Sequence, residues 1–278
     1  MRTAITRPQS PHGSKFLETS TPPMADTPHK VDPIGERYFQ PLEAAEAAAD
    51  VLFYVSAVLS LAVPLVSQQE HPSLYALAQI LFALSVIALF GVTLAVRLYF
   101  SPRAQFRRFQ DFLAHAFGKP LAAQQTTGYY NNAATSVPRR IAAQVLENSF
   151  YSHDTIAQMA KIERIKIVVY VLLYVLVIFN RNTDLATIAV AAQIVFSEQI
   201  VSRWFRLEWL RRECERTYDD VYRQFQTNGQ LDAFSIEAVG RYEIVKATAA
   251  ISLSSRIFNK NTGRTDADWA KVRAALGL

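Results

Sequence analysis

The feature that most constrains this chain is a run of 23 residues, 74–96 (LYALAQILFALSVIALFGVTLAV), that carries no charge. A helix rises about 1.5 Å per residue, and crossing about 30 Å of hydrocarbon takes roughly 20 apolar residues. The run is therefore long enough to span a bilayer with some tilt. Residues 51–67 (VLFYVSAVLSLAVPLVS) hold no charge over 17 residues, the lower limit for a span. Residues 165–179 and 185–201 number 15 and 17. Each alone also suits a buried core helix, and the Val/Ile/Tyr-rich third run suits a parallel strand. The four runs fall into two pairs, each joined by a short polar connection, 68–73 and 180–184.

Charge placement decides between these readings. Only 19% of residues are charged, against about 25% in an average soluble protein. Of the 29 Lys and Arg, every one except Arg181 lies in a segment on one side of the four runs. The positive-inside rule places that side in the cytoplasm, with both termini. Basic stretches at 97–108 and 203–216 sit directly beside the runs. Lys166 can snorkel to the interface and lengthen the third span. Trp204, Trp209, Tyr99 and Phe100 lie at the depth that amphipathic aromatics favour.

The fold class predicted is an all-α membrane protein. Two transmembrane helical hairpins (four spans) carry a helical cytoplasmic insert and a helical C-terminal tail. Residues 1–35 are a disordered N-terminal arm with no apolar stretch of the kind a cleaved signal peptide requires. Met24 is an alternative start. Residues 36–100 hold a pre-helix and the first hairpin, with spans at about 51–67 and 74–96. Residues 101–164 are the insert. Residues 165–201 form the second hairpin, with spans at about 165–179 and 185–201, and 202–278 are the tail. Within the insert, Ser101-Pro102 reads as an N-cap with Pro at the first helical position. Pro138 starts a helix that runs on into the third span. The fourth span is expected to continue unbroken to about Gln226. A helix follows from about Phe234 to Phe258, burying Ile236, Val239, Ile244, Ala247, Ile251 and Ile257. "NKNTG" ends it, and Thr265-Asp266 caps a short last helix.

No catalytic motif is present: there is no phosphate-binding glycine loop, dinucleotide fingerprint, zinc-protease motif or nucleophile elbow. The five His are scattered, so no metal site and no cofactor are expected. The chain does not read as an enzyme. Cys214 stands among Arg211, Arg212 and Arg216, which would lower its pKa; otherwise it is an ordinary thiol on a solvated helix. Polar residues within the spans are candidates for pore lining or gating: Gln79 in the second, and Gln193, Ser197 and Glu198 in the fourth. Ser197 falls one turn beyond Gln193 on a continuous helix. Interhelical hydrogen bonding explains Gln193 equally well, and Glu198 can reach water or pair with Arg203.

The insert offers a second candidate. Arg107, Arg108, Arg139 and Arg140 supply cations for phosphate, Tyr129 and Tyr130 supply faces for base stacking, and Asn131 supplies an amide to read base edges. Glu147 and Asn148 follow two turns along the helix that Pro138 opens. The same arginines also suit anionic lipid headgroups.

Two transmembrane hairpins, a cytoplasmic helical insert of about 70 residues with Tyr129-Tyr130 and Glu147-Asn148-Ser149-Phe150, and a helical tail resemble one known group. These are the SMODS-associated four-transmembrane (S-4TM) effectors of bacterial anti-phage signalling systems. The resemblance covers residues 37 to about 230 and is one of layout and length. It implies an inner-membrane effector that binds a cyclic oligonucleotide in the cytoplasm. The effector then forms a homo-oligomer and permeabilises the bilayer, an abortive infection. No nucleic-acid polymer is implied as a partner. Composition alone leaves open a constitutive small ion channel or transporter, and a membrane-anchored scaffold.

Overall fold

The computed structural model describes residues 31–121, 123–130, 132 and 134–278. The expected arm at 1–30, the alternative start Met24 and the candidate Asn131 lie outside the described residues. Among the described residues the fold is all helical, with one isolated antiparallel bridge between Val31 and Thr127. Eight α-helices follow in order: α1 (Gln40–Ala62), α2 (Pro72–Ala95), α3 (Ser101–Phe117), α4 (Val137–Phe179), α5 (Leu185–Val195), α6 (Arg203–Gln226), α7 (Asp232–Ala249) and α8 (Ser255–Leu276). π-helical turns at Gly35–Phe39, Val96–Phe100 and Glu198–Ser202 join or lead into them.

Burial divides the molecule into two parts. One is a helical body of α3, the first half of α4, α6, α7 and α8, with a continuous core. Phe112, Ile141, Leu146, Ile156, Leu207, Leu210, Val221 and Trp269 belong to it. The other part is α1, α2, the end of α4 and α5, where the polarity is inverted. Leu84, Ile87 and Phe90 on α2 are 58%, 66% and 68% exposed, while Ser85 is that helix's one buried residue. Water would not tolerate such a surface over so large an area, whereas lipid requires it. Ser56 Oγ donates to Ser85 Oγ at 2.9 Å and so ties α1 to α2. By length and composition, three described helical stretches can cross a membrane: Gly35–Ala62, Pro72–Phe117 and Leu185–Gln226, the last interrupted at Phe196–Ser197. These are the features of a membrane protein.

Helix α4 belongs to both parts. Its 43 residues measure about 65 Å at 1.5 Å each. Its buried positions begin at Ile141 and stop at Ala160. Beyond that point Val168, Leu172, Leu176 and Phe179 are exposed. Glu163, Arg164 and Lys166 stand at the transition, where Arg164 is held by Glu208 of α6 and Lys166 by Glu163. Tyr170 Oη reaches Tyr54 Oη of α1 at 3.2 Å.

Several local expectations are corrected. Residues 31–35 are not part of a loose arm. Val31 pairs with Thr127, and Asp32 accepts from Gly35 N at 2.8 Å and from Arg108 at 2.7 Å. Ser101 does not restart a helix: its backbone is helical at φ −65°, ψ −50°. Its N–H bonds to the Val96 carbonyl, five residues back, and the wider π turn admits Pro102 without breaking the rod. The fourth apolar run is not one unbroken helix. Phe196 and Ser197 interrupt it, Ser197 being extended at φ −66°, ψ 166°. Along α7 the buried face is Ala238, Val239, Tyr242 and Val245, while Ile236 and Ile244 are exposed. This helix ends at Ala250, which adopts φ 49°. "NKNTG" does not stop the last helix; α8 runs through it from a cap at Ser254, whose Oγ accepts from Ile257 N at 3.4 Å. Gly263 costs a helix interior about 1 kcal/mol. Contacts to α4 offset it: Asp154 takes Arg264 at 2.9 Å and Thr265 Oγ1 at 2.8 Å, and Trp269 is buried beside Phe150 and Tyr151. Cys214 is not on a solvated face. It is 1% exposed inside the body, and burial pushes its thiol up to about 12.

Candidate functional site

The interruption at Phe196–Ser197 and the π turn at Val96–Phe100 meet at one place. Between them lies a cavity of about 480 Å³, walled by α1, the α2–α3 junction, residues 198–206, the last turn of α7 and residues 250–252 after it. Irregular backbone near membrane depth persists only where protein buries it or a polar cavity accepts its unpaired groups. π turns likewise concentrate at functional sites.

Six ionisable side chains face this cavity: Glu46, Asp50, Arg97, Glu198, Arg203 and Arg206. α1 supplies the first two from its Ala-rich opening turns. Asp50 is fixed by Arg203 Nη1, which donates to both carboxylate oxygens at 3.1 and 3.2 Å. Glu46 accepts from Ser252 Oγ at 2.7 Å. Next to it, Glu43 accepts from Ser255 N at 3.2 Å. The segment between α7 and α8 is thereby tied to α1. Glu198 pairs with Arg206 at 3.7 Å and not with Arg203. Arg206 Nη1 also donates to the Ala249 carbonyl at 3.3 Å, yet its Nε is buried with no partner. Ser197 Oγ and Trp204 Nε1 are buried and unpartnered nearby. Arg97 lines the cavity with no ion pair or hydrogen bond among the described residues.

The expected gating residues distribute unevenly around this site. Glu198 is in the cavity wall, and Ser197 is the break itself. Because the helix is interrupted between them, Ser197 does not continue the face that holds Gln193. Gln79 and Gln193 are exposed on the outer surface of the apolar helices, away from the cavity.

The insert candidates divide in the same way. Arg108 binds Asp32 and lies over the rings of Tyr129 at 4.6 Å and Phe39 at 5.3 Å. Tyr129 meets Tyr130 edge-on, with centroids 4.9 Å apart, and Tyr130 packs on Phe112 and His115. Burial raises the pKa of both phenols. Glu147 is buried and within electrostatic reach of Tyr129. The Asn148 carbonyl accepts from Tyr242 Oη at 3.3 Å. Arg107 turns to Gln110 and Tyr38, Arg139 lies over Phe225 at 5.2 Å, and Arg140 sits beside Gly118. The fold thus gathers Arg108, Tyr129, Tyr130, Glu147 and Asn148, whose side chain bonds to Tyr130, while Arg107, Arg139 and Arg140 turn to other neighbours. Within the gathered group Arg108 Nη1 is buried without a partner.

Sequence reasoning missed the network that holds this group. Asp111 is fully buried and accepts from Thr126 N at 3.0 Å and Thr126 Oγ1 at 2.7 Å. His115 Nε2 lies 3.0 Å from the Thr126 carbonyl. The signal was present as Asp and His four residues apart on α3, but their partner comes from a loop without periodicity. Likewise nothing in the Ala-rich run 41–50 marks Glu46 and Asp50 as cavity residues. No set of three or more His, Cys, Asp or Glu among the described residues is arranged to hold a metal ion. No known protein family, curated protein or solved structure matches this chain.

Proposed function

We propose that this chain is a four-span membrane protein that opens the bacterial inner membrane in response to a cytoplasmic nucleotide signal, in the manner implied by its resemblance to S-4TM effectors. The helical body and both termini lie in the cytoplasm, and the spans are about 51–67, 74–96, 165–179 and 185–201. The observation that carries the reading is the interrupted fourth helix, broken beside a charged cavity that contacts two other apolar segments and the body. A break so placed lets a shift in the body change how the apolar helices pack.

Three further features support it. Burial along α4 ends at Ala160, and the apolar remainder is exposed, as a lipid-facing third span requires. The body is fastened to α1 through Asp50–Arg203 and Glu46–Ser252, so its movements reach the first hairpin directly. The exposed amides of Gln79 and Gln193 are costly against lipid, and a second copy of the chain can satisfy them; the open state is therefore a homo-oligomer.

The test is potassium and dye leakage from proteoliposomes holding the full chain, with and without a panel of cyclic di- and trinucleotides. The expected result is leakage that one nucleotide raises at least about tenfold, the equivalent of a 1.4 kcal/mol bias between closed and open packing. Leakage of equal size with no nucleotide would instead make the protein a constitutive channel. Silence under every condition would favour a scaffold.

A further inference from the structure

The geometry points to a phosphate-bearing group, held between Arg97 and Arg206, as the occupant of the charged cavity. The assignment rests on the membrane reading above, since it sets this cavity at headgroup depth on the cytoplasmic face. It moves the ligand away from the insert arginines and onto the junction itself.

The charged groups that line the cavity are unevenly engaged. Two of its carboxylates are engaged, Asp50 by Arg203 and Glu46 by Ser252. The third, Glu198, stands 3.7 Å from Arg206, beyond hydrogen-bond range. Beside the free oxygens of Glu198, what remains unused is donor capacity: the exposed guanidinium of Arg97, with no ion pair or hydrogen bond among the described residues, and the buried Nε of Arg206. Arg97 is also within electrostatic reach of Arg206. Glu198 pairs with Arg206 and leaves Arg97 without a counter-anion of its own, and a planar fork with several N–H groups matches phosphate oxygens in pairs. Backbone adds to the same wall. After the break, the helical rod resumes at Glu198, and the first N–H groups of a helix have no internal acceptor. An interrupted helix that aims its new N-terminus at an anionic group is a recurring membrane arrangement. A volume of about 480 Å³ lies in the ordinary range for small ligands, roughly 300–1,000 Å³.

Phosphate of this kind has two sources, the headgroup of an anionic phospholipid and the phosphodiester of a nucleotide. The experiment separates them. The full chain is purified in dodecyl maltoside, which carries no phosphate. Its thermal melting is followed with added pyrophosphate, with cyclic di-GMP, and with phosphatidylglycerol in mixed micelles. At least one probe should raise the melting temperature of the wild type in a saturable way. Arg97→Gln and Arg206→Gln should each weaken that probe's apparent affinity about tenfold or more, the loss of one charge-assisted contact. Arg108→Gln, in the insert, should leave it unchanged. A response to phosphatidylglycerol alone assigns the site to lipid; a response to cyclic di-GMP assigns it to the nucleotide. Arg97→Lys, which keeps the charge, should retain part of the response and serves where the glutamine variant does not fold. The assignment is overturned if no probe stabilises the wild type, or if Arg97→Gln and Arg206→Gln respond as the wild type does. It fails independently of the gating reading: nucleotide-dependent leakage that survives Arg97→Gln would sink this site and leave gating intact. Binding lost in Arg97→Gln with no leakage from any sample would do the reverse.

Discussion

Exchanging Leu146 for aspartate unfolds the helical body. Leu146 is fully buried on α4, in a core also built from α6, α7 and α8. Burying a carboxylate there without a partner costs several kcal/mol, and the packing of the lost leucine accounts for about 2–5 kcal/mol more. The sum is comparable with the whole stability of a typical domain, roughly 5–15 kcal/mol. Leu146→Met keeps volume and polarity and should cost less than about 1.5 kcal/mol. Thermal melting in detergent and limited proteolysis distinguish the two. A Leu146→Asp protein that melts like the wild type would mean that this face of α4 is not buried, and with it the division of the molecule into body and apolar helices would fall.

The second large effect is expected at Asp111. Removing its side chain with Asp111→Ala leaves Thr126 N–H buried without an acceptor and Thr126 Oγ1 with only His115 Nε2, 3.3 Å away, since Thr126 is 3% exposed. An orphaned buried donor costs about 1–3 kcal/mol, and the weakened partnership of Thr126 Oγ1 puts the loss in the upper part of that range. Thr127, the next residue, pairs with Val31, and Asp32 holds Arg108. Hydrogen exchange in residues 123–130 should therefore speed up together with exchange at 31–36, while α6 and α7 stay protected. Asp111→Asn retains one acceptor oxygen and should show a smaller effect. Unchanged exchange in the loop would show that Asp111 does not hold it.

What could be read from the sequence follows from which forces act locally. The apolar runs and their basic flanks are local signals, and helices form on all four. Gly118 and the 227–229 turn end helices where such residues ordinarily do. The misreadings come from places where tertiary contacts outweigh local preference. Pro102 looks like a helix start, yet one extra residue in the preceding turn admits it inside a continuous rod. "NKNTG" looks like a terminator, yet Asp154 and the pocket for Trp269 hold the helix together through it. The break at Ser197 has no Gly or Pro to announce it. It lies next to unpaired polar groups that only the assembled cavity brings together. Arg97 and Arg203 were legible as flanking cations of two spans. The partner of Arg203 was not, because Asp50 stands 153 positions before it in a stretch whose composition signals nothing beyond helix.

The number of spans is the point on which the whole account turns, and labelling from outside the cell measures it directly. Cys214 is the chain's one cysteine, and it is buried with its thiol pushed up to about 12. It should stay silent toward maleimides in the folded protein, so single reporters can be added to the natural sequence. Asn182→Cys places a reporter in the exposed turn between α4 and α5, and Gln230→Cys places one in the exposed turn between α6 and α7. With four spans, a membrane-impermeant maleimide labels Asn182→Cys in intact spheroplasts and reaches Gln230→Cys only after the membrane is opened. With three, the end of α4 stays on the cytoplasmic side and the pattern reverses: Gln230→Cys is labelled from outside and Asn182→Cys is protected. That reversal would contradict the account at its centre.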